Sequence, residues 1–269
     1  MTHRKLLLNH LLDIRGVATI NNFYSPHAKS YKGSLLNTRK LFKSYLQDGL
    51  IEQIPPIGKP HNKAQEVFYC LTRKGASYIG RTNEYKYKKY KRSPHNIMHQ
   101  SMIFDLALSF LRSYPYVRFN FRYNASLYGL RPDIFIEFNK SHSATETYYF
   151  LTEIERKKTV DRTYREKIVR YEKLFSTLVE EGYDVNAFTV LVVYCDIWHN
   201  IFLRPTQYSE IKTLTHIHHI DNLLINLATQ YCHDLPPNRY RFLAFHNFYR
   251  ITEPVWLKPG GEKTFLFSS

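Results

Sequence analysis

Three carboxylates and a lysine stand at spacings suited to phosphodiester chemistry. Asp133 directly follows Pro132, Glu153 and Glu155 are one residue apart, and Lys157 repeats that step. On an extended chain alternate side chains share a face, so positions 153, 155 and 157 point the same way. Clustered carboxylates repel each other and are costly to bury without a counter-charge. A divalent cation supplies one, and oxygen-only ligands suit magnesium or manganese. Asp133, Glu153 and Glu155 are therefore candidate metal ligands. Such a centre would activate water, with Lys157 or Lys167 stabilising the charge that develops on the phosphate. If the site is inactive, no cofactor is expected. Other chemistry lacks its signature: the chain has no Walker-type loop, no G-x-G-x-x-G and no G-x-S-x-G. The histidines at 216, 218 and 219 lack the fixed spacing of zinc ligands.

The partner is suggested by where the charge lies. The chain has 269 residues, with 38 Lys plus Arg against 23 Asp plus Glu, a net of +15. Residues 1–95 hold 18 basic and 5 acidic side chains, a net of +13, while residues 96–269 are nearly balanced at 20 and 18. A basic module joined to a neutral one is expected to meet a polyanion, and duplex DNA is favoured. A membrane partner is disfavoured, because no apolar run is long enough to span a bilayer and no basic amphipathic helix presents large apolar residues. Three distant cysteines (Cys70, Cys195, Cys232) and a start too short and charged for a signal peptide point to a reduced, cytoplasmic chain.

The elements that must position these residues fall into two domains joined by a basic strap, at 1–80, 81–95 and 96–269. In the first, helices are expected over 5–15, 18–24 and 35–48, the last capped by Ser34 and stopped by Gly49. Strands over 50–55 and 66–71 then form a hairpin, and Thr72 opens a final helix. At about 100° per residue, Leu35, Thr38, Leu41, Phe42, Tyr45 and Leu46 fall on one side of the third helix. Asn37, Lys40, Lys43, Ser44 and Gln47 fall on the other, with cations for phosphates and polar groups for base edges. The strap interleaves Lys86, Lys88, Lys89, Lys91 and Arg92 with tyrosines and is read equally well as a DNA contact or a solvated linker. The second domain reads as helix 96–112, strands 117–123, 132–138 and 147–154, helix 162–182, a buried strand 187–195, helix 221–231 and a strand at 241–245.

Helix order and the segments DGLIEQ and FYCLTRKG resemble a winged helix-turn-helix over about eighty residues. Pro132-Asp133 with Glu155-Arg156-Lys157 resembles the PD-(D/E)xK nuclease pattern on its α-β-β-β-α-β scaffold. That resemblance implies two metal-binding acids and a lysine assisting the attacking water. An alternative register takes Glu153 as the second acid and a lysine from the next helix, where Lys167 and Tyr171 (KIVRY) match a motif of several branches. The full series is similar to the replication-relaxation family over roughly residues 1–195, with His99, Asp105 and EIERKK among its members' landmarks. Lys157 departs from the Asp-Arg-Gly pattern common there. The resemblance implies an α/β chain, a winged helix followed by a nuclease-like domain, serving plasmid replication or mobilisation beside a relaxase. Two alternatives stay open: a magnesium- or manganese-dependent endonuclease, and a regulator that dimerises through its second domain.

Overall fold

The computed structural model describes residues 3–13, 17–20, 35–54, 67–85, 94–123, 125–139, 146–155, 161–194, 222, 224–232, 234–244, 247 and 250–267. It is a mixed α/β chain whose described residues divide into two compact units, one up to Arg112 and one from Ser113 onward. No helix among the described residues is long and apolar enough to cross a membrane.

The first unit is built around helix α1 (His3–Asp13), whose Leu7, Leu8, Leu11 and Leu12 are buried on the i, i+4 stripe that the sequence displays. Helix α2 (Leu35–Gln47) buries Thr38, Phe42 and Tyr45. It ends at Gly49, whose φ of +67° favours a residue without a side chain. There Gly49 N donates to Leu46 O and Leu50 N donates to Tyr45 O, the paired bonds of a Schellman stop. Two short strands follow, β1 (Ile51–Gln53) and β2 (Tyr69–Leu71), paired antiparallel with Ile51 opposite Leu71.

Helix α3 (Arg73–Tyr78) is capped by Thr72, whose Oγ1 accepts from Gly75 N and donates to Gly49 O at 2.7 Å. Gly75 lies against the same turn. A Cβ there would stand 2.1 Å from Leu50 O. The LTRKG segment is thus the seat on which the end of α2 rests. Helix α4 (Pro94–Ser113) starts in this unit and brings Ile97 to a core of Val17, Ile54, Phe68 and Cys70.

The helix expected from Ala18 does not begin there, and Ile20 is the first helical residue. Ala18 makes an antiparallel bridge with Tyr69 instead, exchanging N–H···O bonds of 2.9 and 2.8 Å. Pairing across that sequence distance overrides the local helical pattern, and residues 21–24 of that expected helix lie outside the described residues.

The second unit is a seven-stranded sheet in the order of the chain: β3 (Arg118–Tyr123), β4 (Ile134–Asn139), β5 (Tyr148–Glu155), β6 (Phe188–Tyr194), β7 (Tyr240–Ala244), β8 (Trp256–Leu257) and β9 (Lys263–Thr264). β3, β4 and β5 are antiparallel, β5, β6 and β7 are parallel, and β8 and β9 return antiparallel. β6 (FTVLVVY) is buried along nearly its whole length, as a central parallel strand must be. Helix α5 (Asp161–Glu180) makes the crossover between β5 and β6 and lays Tyr171, Leu174, Phe175 and Leu178 into a core with Leu151, Val190, Val192 and Phe242. The segment expected as an ordinary helix over 221–231 ends instead in a π-helical turn, Leu227–Tyr231. Gly260 N satisfies Ala228 O in that turn at 2.9 Å.

Candidate functional site

The carboxylate site forms where β4 begins and β5 ends. The last registered pair at this end is Ile134 opposite Thr152, so Asp133 comes level with Glu153 one step further. Residues directly opposite in an antiparallel pair share a face. Asp133 Oδ2 accepts the main-chain N–H of Ile154 at 2.8 Å, standing in for the carbonyl that the ladder no longer offers. Glu153 and Glu155 alternate with Ile154 on β5 and face α5. The first half of the helix lies beside the end of the strand. Lys167 and Tyr171, four residues apart, occupy one side of that half.

These side chains meet. Lys167 Nζ donates to Glu153 Oε2 at 2.9 Å and also bonds Glu155 Oε1. Tyr171 Oη donates to the other oxygen of Glu153, Oε1, at 2.7 Å. Glu153 is only 7% exposed, and Tyr171 2%. Burial raises the pKa of the Glu153 carboxyl; the Lys167 ammonium draws it back, and the neighbouring Asp133 charge pushes it up again. Burial works against the ammonium of Lys167, yet Glu153 and Glu155 together hold its pKa above the usual lysine value. The two directions agree with the contacts, since two carboxylates, Glu153 and Glu155, share the Lys167 ammonium. Tyr171 is kept protonated, first by burial and then by the Glu153 carboxylate. It is therefore a hydrogen-bond donor at neutral pH.

The structure brings together Asp133, Glu153, Glu155, Lys167 and Tyr171. The lysine that reaches the acids among the described residues is the one from the helix; Lys157 lies outside them. So do Lys86, Lys88, Lys89, Lys91 and Arg92 of the strap and the histidines at 216, 218 and 219. Asp133 is bound to the backbone of β5. His99 is half-buried and Asp105 buried on α4. Among the described residues no group of three or more His, Cys, Asp or Glu side chains is disposed to hold a metal ion. The donors themselves suit a hard divalent cation, being all oxygen and carrying more negative charge than Lys167 neutralises. The ammonium stands where such a cation would have to meet Glu153 and Glu155.

A second charged surface lies on α2. Asn37, Lys40, Lys43 and Gln47 are exposed, and Ser44 is half-buried with its Oγ bonded to Asp48 Oδ2 at 3.3 Å. Arg39 is exposed beside them, a cation that the helical wheel places on the flank and does not single out. In the strap, Arg81 is not available to a phosphate in this arrangement. It bonds Asp13 Oδ1 at 2.6 Å, Asn9 Oδ1 at 3.1 Å and Glu84 Oε2 at 2.5 Å, tying the end of α1 to the chain that follows α3. Comparison with protein-family models, with curated proteins and with solved structures returns no match.

Proposed function

We propose that the chain is a duplex-DNA-binding protein whose first unit is of winged-helix type and whose second unit is a nuclease-like fold used for binding or assembly. The observation that carries this reading is the outward face of α2. Its exposed Lys40 and Lys43 stand beside Asn37 and Gln47 in a segment with a net charge of +13 over residues 1–95. Cations at that position bind phosphates, and amides beside them can reach base edges. The paired strands β1 and β2, placed between α2 and α3, correspond to the wing of such a domain. The resemblance to the replication-relaxation family would set this binding at a plasmid or mobile-element origin, beside a relaxase.

The test is affinity for duplex DNA across a salt series, read by fluorescence anisotropy. Replacing Lys40 and Lys43 by Ala should reduce the slope of log affinity against log salt by about 0.9 for each phosphate no longer neutralised. Absence of duplex binding, or an unchanged slope, overturns the reading.

The convergence of Asp133, Glu153, Glu155 and Lys167 favours a second reading, a magnesium- or manganese-dependent DNA endonuclease. Asp133, Glu153 and Glu155 would hold the cation, whose chemistry is to neutralise phosphate charge and acidify a water molecule. Tyr171 would fix Glu153, and Lys167 would lie beside the reacting phosphate. Supercoiled, linear and single-stranded DNA incubated with manganese or with chelator decide it. Cleavage by the wild type that Asp133→Ala loses, with duplex binding kept, supports the enzyme. If the wild type cuts nothing, the second unit is a scaffold.

A further inference from the structure

The outward face of α2 presents a leucine among its cations and amides. Leu36 is 59% exposed, against 37% for Val67 and 46% for Tyr78, the other exposed large apolar residues among the described residues of the first unit. Tyr78 has a cation over its ring, Lys5 Nζ lying 5.6 Å from the centroid. Leu36 stands on the helix line that continues through Lys40, Lys43 and Gln47, at steps of four, three and four residues. All four are exposed, while Thr38, Phe42 and Tyr45 on the opposite side are buried. Turning Leu36 inward would carry Lys40 and Lys43 into the core with it. Its exposure is therefore fixed by the packing of the whole helix.

We infer that Leu36 reads DNA sequence by packing against the 5-methyl group of a thymine in the major groove. The inference rests on the reading of the first unit as a duplex-DNA binder, and it adds what the helix recognises. A helix held to the backbone by Lys40 and Lys43 brings the rest of their line to the groove. There the base edges offer polar donors and acceptors and one apolar group, the thymine methyl. Asn37 and Gln47 match the polar kind, and Leu36 matches the methyl. Their contact removes two apolar surfaces from water at once, a gain that phosphates and polar base edges do not offer to a leucine.

The experiment uses the full chain and a duplex selected from random sequences, with binding read by fluorescence anisotropy. Each thymine of the selected site is replaced in turn by deoxyuridine, which removes the methyl group and keeps the base pair. For the wild type, one replacement should weaken binding about fourfold, the worth of one buried methyl group. Leu36→Ala should bind the unmodified duplex more weakly by about fourfold or more. The same deoxyuridine replacement should then cost that variant almost nothing, because the partner of the methyl is gone. Its salt slope should stay that of the wild type, since no phosphate contact is lost. Leu36 is exposed and Ala is the stronger helix former, so the variant keeps α2. If no deoxyuridine duplex binds the wild type more weakly than its parent, or if the loss is equal in Leu36→Ala, the inference is overturned while the DNA reading stands. Duplex binding without a preferred sequence overturns it as well. Absence of duplex binding overturns both. If Leu36→Ala keeps its DNA affinity and instead separates a dimer of the chain, seen by sedimentation, Leu36 belongs to an interface between copies and the inference falls.

Discussion

The outer face of α2 and the strand-end cluster of the second unit are both charged, but they solve the problem of charge in opposite ways. On α2, Arg39, Lys40 and Lys43 stand in solvent, and among the described residues no acid pairs with them. In the second unit, Glu153 is buried and both of its oxygens are bonded, one by Lys167 and one by Tyr171. Charges left in water cost little to hold and wait for an external partner. Buried charges must be satisfied from within before anything external arrives, because an unsatisfied one costs several kcal/mol. The first surface is therefore visible as a net charge. The second is invisible in composition, for it lies in a stretch, residues 96–269, whose 20 basic and 18 acidic side chains nearly cancel.

The sharpest way to break this comparison is to remove one unit and ask what the other does. Gly75→Ala places a Cβ 2.1 Å from the main-chain Leu50 O, an atom that no side-chain rotation can clear. The expected cost is above about 3 kcal/mol, at or beyond the top of the usual overpacking range. DNA binding should vanish with the seat of α2. Both tryptophans, Trp198 and Trp256, belong to the second unit, so the urea transition followed by tryptophan fluorescence should keep its midpoint. A large shift of that transition would show that the two units do not stand independently.

A smaller effect, but opposite in sign between the two units, is expected from acid. His10 in α1 is enclosed, with Nδ1 lacking a hydrogen-bond partner among the described residues. Burial, and secondly the charge of Arg112, push its pKa down to about 4. The folded state favours the neutral ring, so the stability it contributes is whole above the ordinary histidine value and drains away as pH falls from about 6.5 to about 4. The loss amounts to at most about 3 kcal/mol. Glu153 behaves conversely. Its raised pKa means that stability is greatest when the carboxyl is protonated and falls as pH rises through the folded-state value. Hydrogen exchange of α1 and of α5 between pH 4 and 7 should therefore move in opposite directions once His10→Gln and Glu153→Gln are used as references. Parallel changes in both helices, identical in the variants, would remove the contrast.

Much of both regions is legible in the sequence, and the reasons differ by residue. The wheel of α2 sorts Thr38, Phe42 and Tyr45 inward and Asn37, Lys40, Lys43 and Gln47 outward, because amphipathic period is a local property. The shared face of Glu153 and Glu155 follows from the two-residue period in the same way. The choice between Lys157 and Lys167 does not, since it depends on how a helix lies against a strand. Nor does the bond from Ile154 N to Asp133, which needs the register of two strands that are distant in sequence. Ala18 fails for that reason too, its partner Tyr69 being long-range. β8 and β9, two residues each, are too short to display any period.

The finest test separates the exposed amides of α2 from its half-buried hydroxyl. On a cognate duplex, found first by selection from random sequences, Asn37→Ala or Gln47→Ala should cost about 1–3 kcal/mol if the amide reads a base edge, and much less on random DNA. Ser44→Ala should cost less than either, below about 1 kcal/mol. Its hydroxyl is half-buried and bonded to Asp48, so meeting a base would mean giving up a bond it already has. Equal losses on cognate and random DNA for Asn37→Ala and Gln47→Ala would move those residues to the backbone. A loss for Ser44→Ala larger than for the two amides would mean that Asp48 presents the hydroxyl to the base rather than withholding it. The double variant Ser44→Ala, Asp48→Ala would then cost no more than Ser44→Ala alone.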